Sequence, residues 1–172
     1  MSAFDKAFDL LIGHEGGYST DRSDRGNWTG GAVGKGEFKG TKYGISAAAY
    51  PALDIKNLTI AQARAIYKRD YWDKVRGDEL PPAFALIAFD AAVNAGVRPG
   101  SRFLQMALRV GADGVIGPQT IAAARAARDP VGVMVEALAQ RAEYNRKAPS
   151  ADAHGLGWSR RLFNLAFQAI DF

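Results

Sequence analysis

Residues 81–96 read PPAFALIAFDAAVNAG. Two prolines open the stretch and a glycine closes it. Proline suits a first helical turn, and glycine suits the position just past a helix end. Between them apolar residues occur almost all round the helix, so no face is left for solvent. The segment is therefore expected to be the buried centre of a helical protein. Asp90 and Asn94 interrupt it four residues apart, on one face. They can line a cleft, or they can satisfy helix and loop backbone; the residues admit both readings.

Outward from this segment the chain continues to read as helix. Thr59 with Gln62 forms a capping box for a helix running to about Trp72. On the other side a helix from about Pro99 to Val110 is expected. GADGVIGPQT (111–120) is a tight turn that places Pro118 first in the next helix, and Asp129-Pro130 opens another through about Tyr144. APSADAHGLG (148–157) reads as a polar connector, with a last helix from Ser159 to Ile170. At the N-terminus Phe4, Ala7, Phe8, Leu11 and Ile12 recur at helical spacing. Residues 18–45 break the pattern. They are glycine-rich and without periodicity, and imply loops around one short irregular hairpin, to which KYGIS (42–46) contributes. The expected class is mainly α, in the α+β sense: a helical core with a small glycine-rich lobe.

Bulk properties narrow the function. A chain of 172 residues, 48% hydrophobic and 23% charged, has the composition of one folded domain. The chain has no cysteine, which excludes thiol nucleophiles, disulfides and thiolate metal sites, and its two histidines, His14 and His154, lie far apart. No metal and no cofactor is expected. No apolar run approaches the ~20 residues of a membrane span, so no stable membrane insertion is expected. MSAFDKAFDLLIG (1–13) lacks the pattern of a signal peptide, which implies synthesis in the cytoplasm and export by another route. A net charge of +4 suits an anionic partner, either nucleic acid or an acidic polymer such as a cell wall. No basic cluster interleaved with aromatics supports nucleic acid.

The unusual chemistry sits in GHEGGYSTDRSDRG (13–26). Glu15 extends the stripe of Phe4, Phe8 and Leu11, near a helix end that Gly16 and Gly17 are expected to impose. A helix C-terminus disfavours an anion, and burial does the same; both raise a carboxyl pKa, as a general acid needs. Asp24 lies nine residues on, in a loop able to fold back, with Asp21 beside it. Glycoside hydrolysis requires a protonated carboxyl and an ionised one in unlike surroundings. A solvated turn is the other reading of Asp21 and Asp24. His14 reads as a partner for terminal carbonyls. No GxSxG elbow and no phosphate-loop spacing occurs, so serine hydrolysis and nucleotide chemistry are disfavoured.

HEGGYSTDRSDRGN, GTKYGIS, AIYKRDYW, LPPAFALIAFDAAVNAG and DGVIGPQT, in that order, resemble glycoside hydrolase family 108, the N-acetylmuramidases of phages and prophage-derived secretion clusters. The resemblance runs from about residue 4 to 165. It implies a lysozyme-like fold and lysozyme activity, with Glu15 as the essential acid, Asp24 as the second carboxylate and Thr41 helping to hold water. NWTGGAVGKGEFKG (27–40) lengthens the loop between Asp24 and Thr41, which makes Thr29 a competitor for the role of Thr41. Tyr18, Tyr43 and Trp158 are candidates to stack on sugar rings, core packing being their other reading; Asp90 and Asn94 join them as candidate substrate contacts.

The resemblance further implies peptidoglycan as partner, a holin or secretion system for export, and action in the periplasm or cell wall. A monomer is expected, folded as one lysozyme-like domain over 1–172 with a cleft between its lobes. About 1–81 would be catalytic, and about 82–172 would resemble a peptidoglycan-binding segment packed on it. A non-catalytic peptidoglycan-binding protein is the rival reading.

Overall fold

The computed structural model describes residues 1–13 and 17–172. The chain forms two compact units, one of Met1–Ala7 with Lys68–Phe172 and one of Phe8–Tyr67. Seven α-helices and one small antiparallel sheet occur among the described residues. The mainly α, α+β class is the one expected.

The larger unit is built round α3 (Pro82–Ala95), which buries every residue from Phe84 to Ala92. Pro82 opens it, and Gly96 ends it at a φ of 96°. Such a helix needs neighbours on all sides. They are α4 (Val97–Ala107), α6 (Pro130–Arg146) and α7 (Ala151–Ile170), with a π-helical turn (Lys68–Trp72) and a 3-10 turn (Gly77–Glu79). Gly100 lets α4 approach closely: a Cβ there would come within 2.6 Å of the Ala92 nitrogen. Trp72 is wholly buried, meets Phe4 and Phe89 at 5.5 Å between ring centroids, and donates its indole N–H to Asp78 Oδ1 at 2.8 Å. The aromatic trio contributes on the order of 1 kcal/mol per pair beyond the area it buries.

Asp90 is the one charged group on the buried run of α3, and three side chains answer it. Arg141 of α6 donates to Oδ1 at 2.5 Å, and Arg161 of α7 donates to Oδ2 at 2.5 Å through Nη2 and at 3.1 Å through Nε. The Asn94 amide donates to the Asp90 carbonyl at 2.8 Å. Three helices are thereby joined at one carboxylate.

GADGVIG (111–117) is folded round buried Gln105. The Gln105 amide nitrogen donates to Asp113 Oδ1 at 2.8 Å and to the Val115 carbonyl at 3.0 Å, and its oxygen accepts from Gly114 N–H at 2.8 Å. Hydrogen bonds from the Val115 N–H and then from Gln105 hold the Asp113 carboxyl below its ordinary pKa. Pro118 then starts α5 (Pro118–Arg125), as expected. The motif's polar groups thus serve the turn itself.

In the smaller unit, α2 (Ile60–Tyr67) carries the expected capping box. Thr59 N–H donates to Gln62 Oε1 at 2.8 Å, and Gln62 N–H donates to Thr59 Oγ1 at 3.2 Å. The sheet has β2 (Thr41–Lys42) between β1 (Tyr18–Ser19) and β3 (Ile45–Ser46), paired antiparallel. β2 and β3 are joined by Tyr43 and Gly44, both at positive φ, 52° and 74°, as a two-residue hairpin turn requires. Tyr67 Oη steadies this turn by donating to the Tyr43 carbonyl at 3.0 Å.

Several boundaries differ from those expected. α1 (Ala3–Ile12) is ended by Gly13, at a φ of 57° with its N–H on the Asp9 carbonyl, ahead of the Gly16-Gly17 pair. The expected helix to Trp72 closes its α-helical part at Tyr67 and continues as π-helix. The expected connector 148–157 is mostly helix, because α7 starts at Ala151. Gly155 and Gly157 each cost about 1 kcal/mol against alanine in a helix interior, and packing of the Leu165 and Ala169 side outweighs that.

Candidate active site

The sequence between Asp21 and Thr41 folds around one buried amide. Asp21 makes a local turn, accepting Ser23 N–H at 2.8 Å and Ser23 Oγ at 2.7 Å. Those bonds hold its carboxyl below the usual aspartate range. Asp24 caps the short 3-10 turn Arg25–Asn27, its Oδ1 accepting Gly26 N–H at 2.8 Å. Asp24 Oδ2 has no hydrogen-bond partner among the described residues, and the side chain is exposed. Among the described residues, therefore, one oxygen is fixed by the turn and the other is not.

Asn27, which follows, is 0% exposed. Its Nδ2 donates to the Asp21 carbonyl at 2.8 Å, and its Oδ1 accepts from Thr41 Oγ1 at 2.6 Å. Its own carbonyl accepts Lys39 N–H at 3.0 Å and Gly40 N–H at 3.1 Å. The direction of this chain is fixed by chemistry. A carbonyl only accepts, so the Asp21 oxygen must face the Asn27 amide nitrogen, and the amide oxygen is left facing Thr41. Thr41 must then donate its single proton to Asn27. Towards anything else its hydroxyl offers only lone pairs.

The long 27–40 insertion leaves this arrangement intact because it closes on itself. Trp28 bridges Phe38, Thr29 N–H reaches the Glu37 carbonyl at 2.9 Å, and Gly30 N–H reaches the Lys35 carbonyl at 3.0 Å. The hairpin therefore leaves and returns at Asn27. The Thr29 hydroxyl accepts Glu37 N–H at 2.8 Å inside the hairpin, whereas Thr41 is tied to the Asp21–Asn27 turn. Arg22 clamps the hairpin to the acidic loop, its guanidinium 4.6 Å from the centre of the Phe38 ring, while Trp28 Nε1 donates to the Arg22 carbonyl at 3.0 Å.

Nothing in the sequence marks Asn27 as part of the site. Its residue type in RGNW signals only a turn; its burial comes from the returning strand, a contact fourteen residues away.

Tyr18 of β1 is 38% exposed, with its hydroxyl donating to the Lys39 carbonyl at 2.9 Å and its ring over Gly40. Gly40, at a φ of 80°, has room for no Cβ: one would come within 2.6 Å of that ring and 2.5 Å of the Ser19 carbonyl. Tyr43 is half-buried in the hairpin turn, with Lys42 Nζ 5.4 Å from its ring centre. Tyr18, Asp24, Asn27, Thr41 and Tyr43 thus belong to the smaller unit. Trp158 belongs to the larger one, half-buried on α7 beside His154 at 5.9 Å between ring centroids.

Asp90, read from sequence either as lining a cleft or as a satisfied polar group, is 5% exposed with both carboxylate oxygens held by arginines at the α3–α6–α7 joint. Asn94 turns its amide onto the Asp90 carbonyl, the backbone-satisfying alternative for that pair. Glu15, with His14 and Gly16, lies outside the described residues. Among the described residues no group of three or more His, Asp or Glu side chains is arranged to hold a metal. No helix among them is long and apolar enough to cross a membrane.

Comparison with known proteins identifies the class and then the family. The solved structure of Brucella abortus SagA superposes with a TM-score of 0.81 and 29% identity, covering 98% of this chain and 94% of that one, and the fold is lysozyme-like. A search of the curated proteins gives no match. The model of the glycosyl hydrolase 108 family matches residues 8–96, a span that contains Glu15, Asp24 and Thr41. The chain belongs to that family, and is a glycoside hydrolase.

Proposed function

We propose that the chain is a peptidoglycan hydrolase of the N-acetylmuramidase type, cleaving the β-1,4 bond between N-acetylmuramic acid and N-acetylglucosamine. Glu15 protonates the leaving glycosidic oxygen as the C1–O bond breaks. Asp24, through the oxygen its turn leaves unoccupied, orients the attacking water or offsets the oxocarbenium-like charge. Thr41 accepts a hydrogen bond from that water, because its own proton is directed to Asn27. Tyr18 and Tyr43 offer ring faces for sugar. The basic surface favours the anionic wall, and export relies on a holin or a dedicated secretion system.

The observation that carries this reading is the directed chain from Thr41 through Asn27 to Asp21, within a span matched by the glycosyl hydrolase 108 model. Release of reducing ends from purified sacculi tests the activity: the chain should release them, and binding without release would leave only the non-catalytic reading.

Two substitutions test the role given to Thr41. Thr41→Val keeps the shape but removes both the acceptor and the proton given to Asn27, and should lower kcat about tenfold or more with KM little changed, at least the worth of one hydrogen bond made in the transition state. Thr41→Ser should keep most of the rate. Equal rates for the Val and Ser variants would contradict the role. Asn27→Ala strands the Asp21 carbonyl and the Thr41 hydroxyl, and should cost about 1–3 kcal/mol of stability, read by denaturant titration. A midpoint unchanged from the parent would mean that Asn27 holds nothing.

A further inference from the structure

The last helix carries two apolar faces. Leu165 and Ala169 are buried on one. On the other Leu156 (68% exposed), Phe163 (68%), Phe167 (70%) and Ile170 (61%) stand open to solvent. At about 100° per residue these four fall within an arc of about 60°. Their spacing of seven, four and three residues is the heptad pattern of a seam against another helix, with Arg160 just outside the arc on one edge. Val131 and Val135 of α6 are exposed as well. Between α6 and α7 lies an apolar groove of about 290 Å³, walled by Val135, Leu138, Ala139, Leu162, Phe163 and Ala166.

We infer that this face is the interface of a homodimer, in which α7 packs antiparallel against α7 of a second copy. Charge complementarity selects that occupant. Arg160 and Asp171 both border the strip on its same edge, near opposite ends, and neither has an ion-pair partner among the described residues. A two-fold axis at the level of Leu165 sets Phe163 of one copy opposite Phe167 of the other. The same operation brings each Arg160 beside Asp171 of the second copy, because a closed two-fold contact presents the same edge from both sides. Two cross-pairs then flank one apolar seam. The second copy's Phe167 and Ile170 come to stand against the α6–α7 groove. An anionic lipid surface suits the strip poorly, since Asp171 borders it. The dimer takes the place of the monomer expected from sequence.

Sedimentation equilibrium of the purified chain tests the inference. The expected result is a mass that rises with concentration to about twice that of one chain. Phe167→Lys should abolish the rise; its side chain is exposed, so circular dichroism should be unchanged. Arg160→Asp should weaken association at least tenfold, and adding Asp171→Arg to it should restore the parent affinity, a rescue that misfolding cannot produce. A monomer at every soluble concentration overturns the inference. So does a charge-swapped double variant that associates no better than Arg160→Asp. Flotation with phosphatidylglycerol vesicles by a chain that stays monomeric overturns it in favour of a lipid surface.

Discussion

Glu15→Gln is expected to lower the rate of peptidoglycan lysis by about 10²–10⁴-fold, the usual worth of a positioned proton donor. Glutamine matches glutamate in size and polarity, so packing and sugar contacts should survive. Only the ability to give up a proton to the glycosidic oxygen is lost. Without that proton the leaving group departs as an alkoxide, and the rate falls with its basicity. The same substitution separates hydrolase from binder. Sacculus binding by the Gln variant should equal that of the parent while lysis collapses. A lytic rate within a few-fold of the parent would remove Glu15 from the mechanism.

Asp90→Ala is expected to destabilise the larger unit by about 3–5 kcal/mol, the cost of leaving a buried charge without its partner. The stranded group is Arg141, whose side chain is 4% exposed and whose Nε already lacks a partner among the described residues. It has no route to water. Arg161 differs: its side chain is 36% exposed and can turn outward. Arg161→Ala should therefore cost clearly less than Asp90→Ala, and Arg141→Ala should fall between them, since it leaves Asp90 one cation. Thermal unfolding would read the Asp90 variant on the order of 10 °C below the parent. A midpoint within 2 °C, taken as roughly half a kcal/mol at this size, would mean that the cluster is not a joint.

The helical core was legible because its signals are local. Pro82, the unbroken apolar run and Gly96 are adjacent in sequence, and so are Thr59 and Gln62. Each acts through hydrogen bonds within one or two turns. The start of α7 is not legible in the sequence for the converse reason: His154, Gly155 and Gly157 carry weak helix propensity, and the packing that overrides them comes from α3 and α6, far away in sequence. The role of Asp90 was hidden likewise. Its spacing from Asn94 was visible, but Arg141 and Arg161 lie 51 and 71 residues further on.

In the smaller unit the residue types were legible and their geometry was not. Asp24 is a candidate from its carboxyl and its spacing from Glu15, and Thr41 from the resemblance with Thr29 as a rival, but nothing local in the sequence shows that residues 28–38 close on themselves. The decisive group, Asn27, is an ordinary turn residue until Lys39 and Gly40 return to its carbonyl. Burial then turns a local hydrogen-bonding side chain into the part that sets which way the Thr41 proton points.

The measurement that bears most directly on the proposed function is mass spectrometry of purified peptidoglycan digested by the chain. Cleavage of the proposed bond by water leaves fragments that end in reducing N-acetylmuramic acid. Those fragments are the predicted result, and they should vanish with Glu15→Gln. Fragments ending in reducing N-acetylglucosamine, in anhydro sugars, or in cut peptide stems with intact glycan would contradict it.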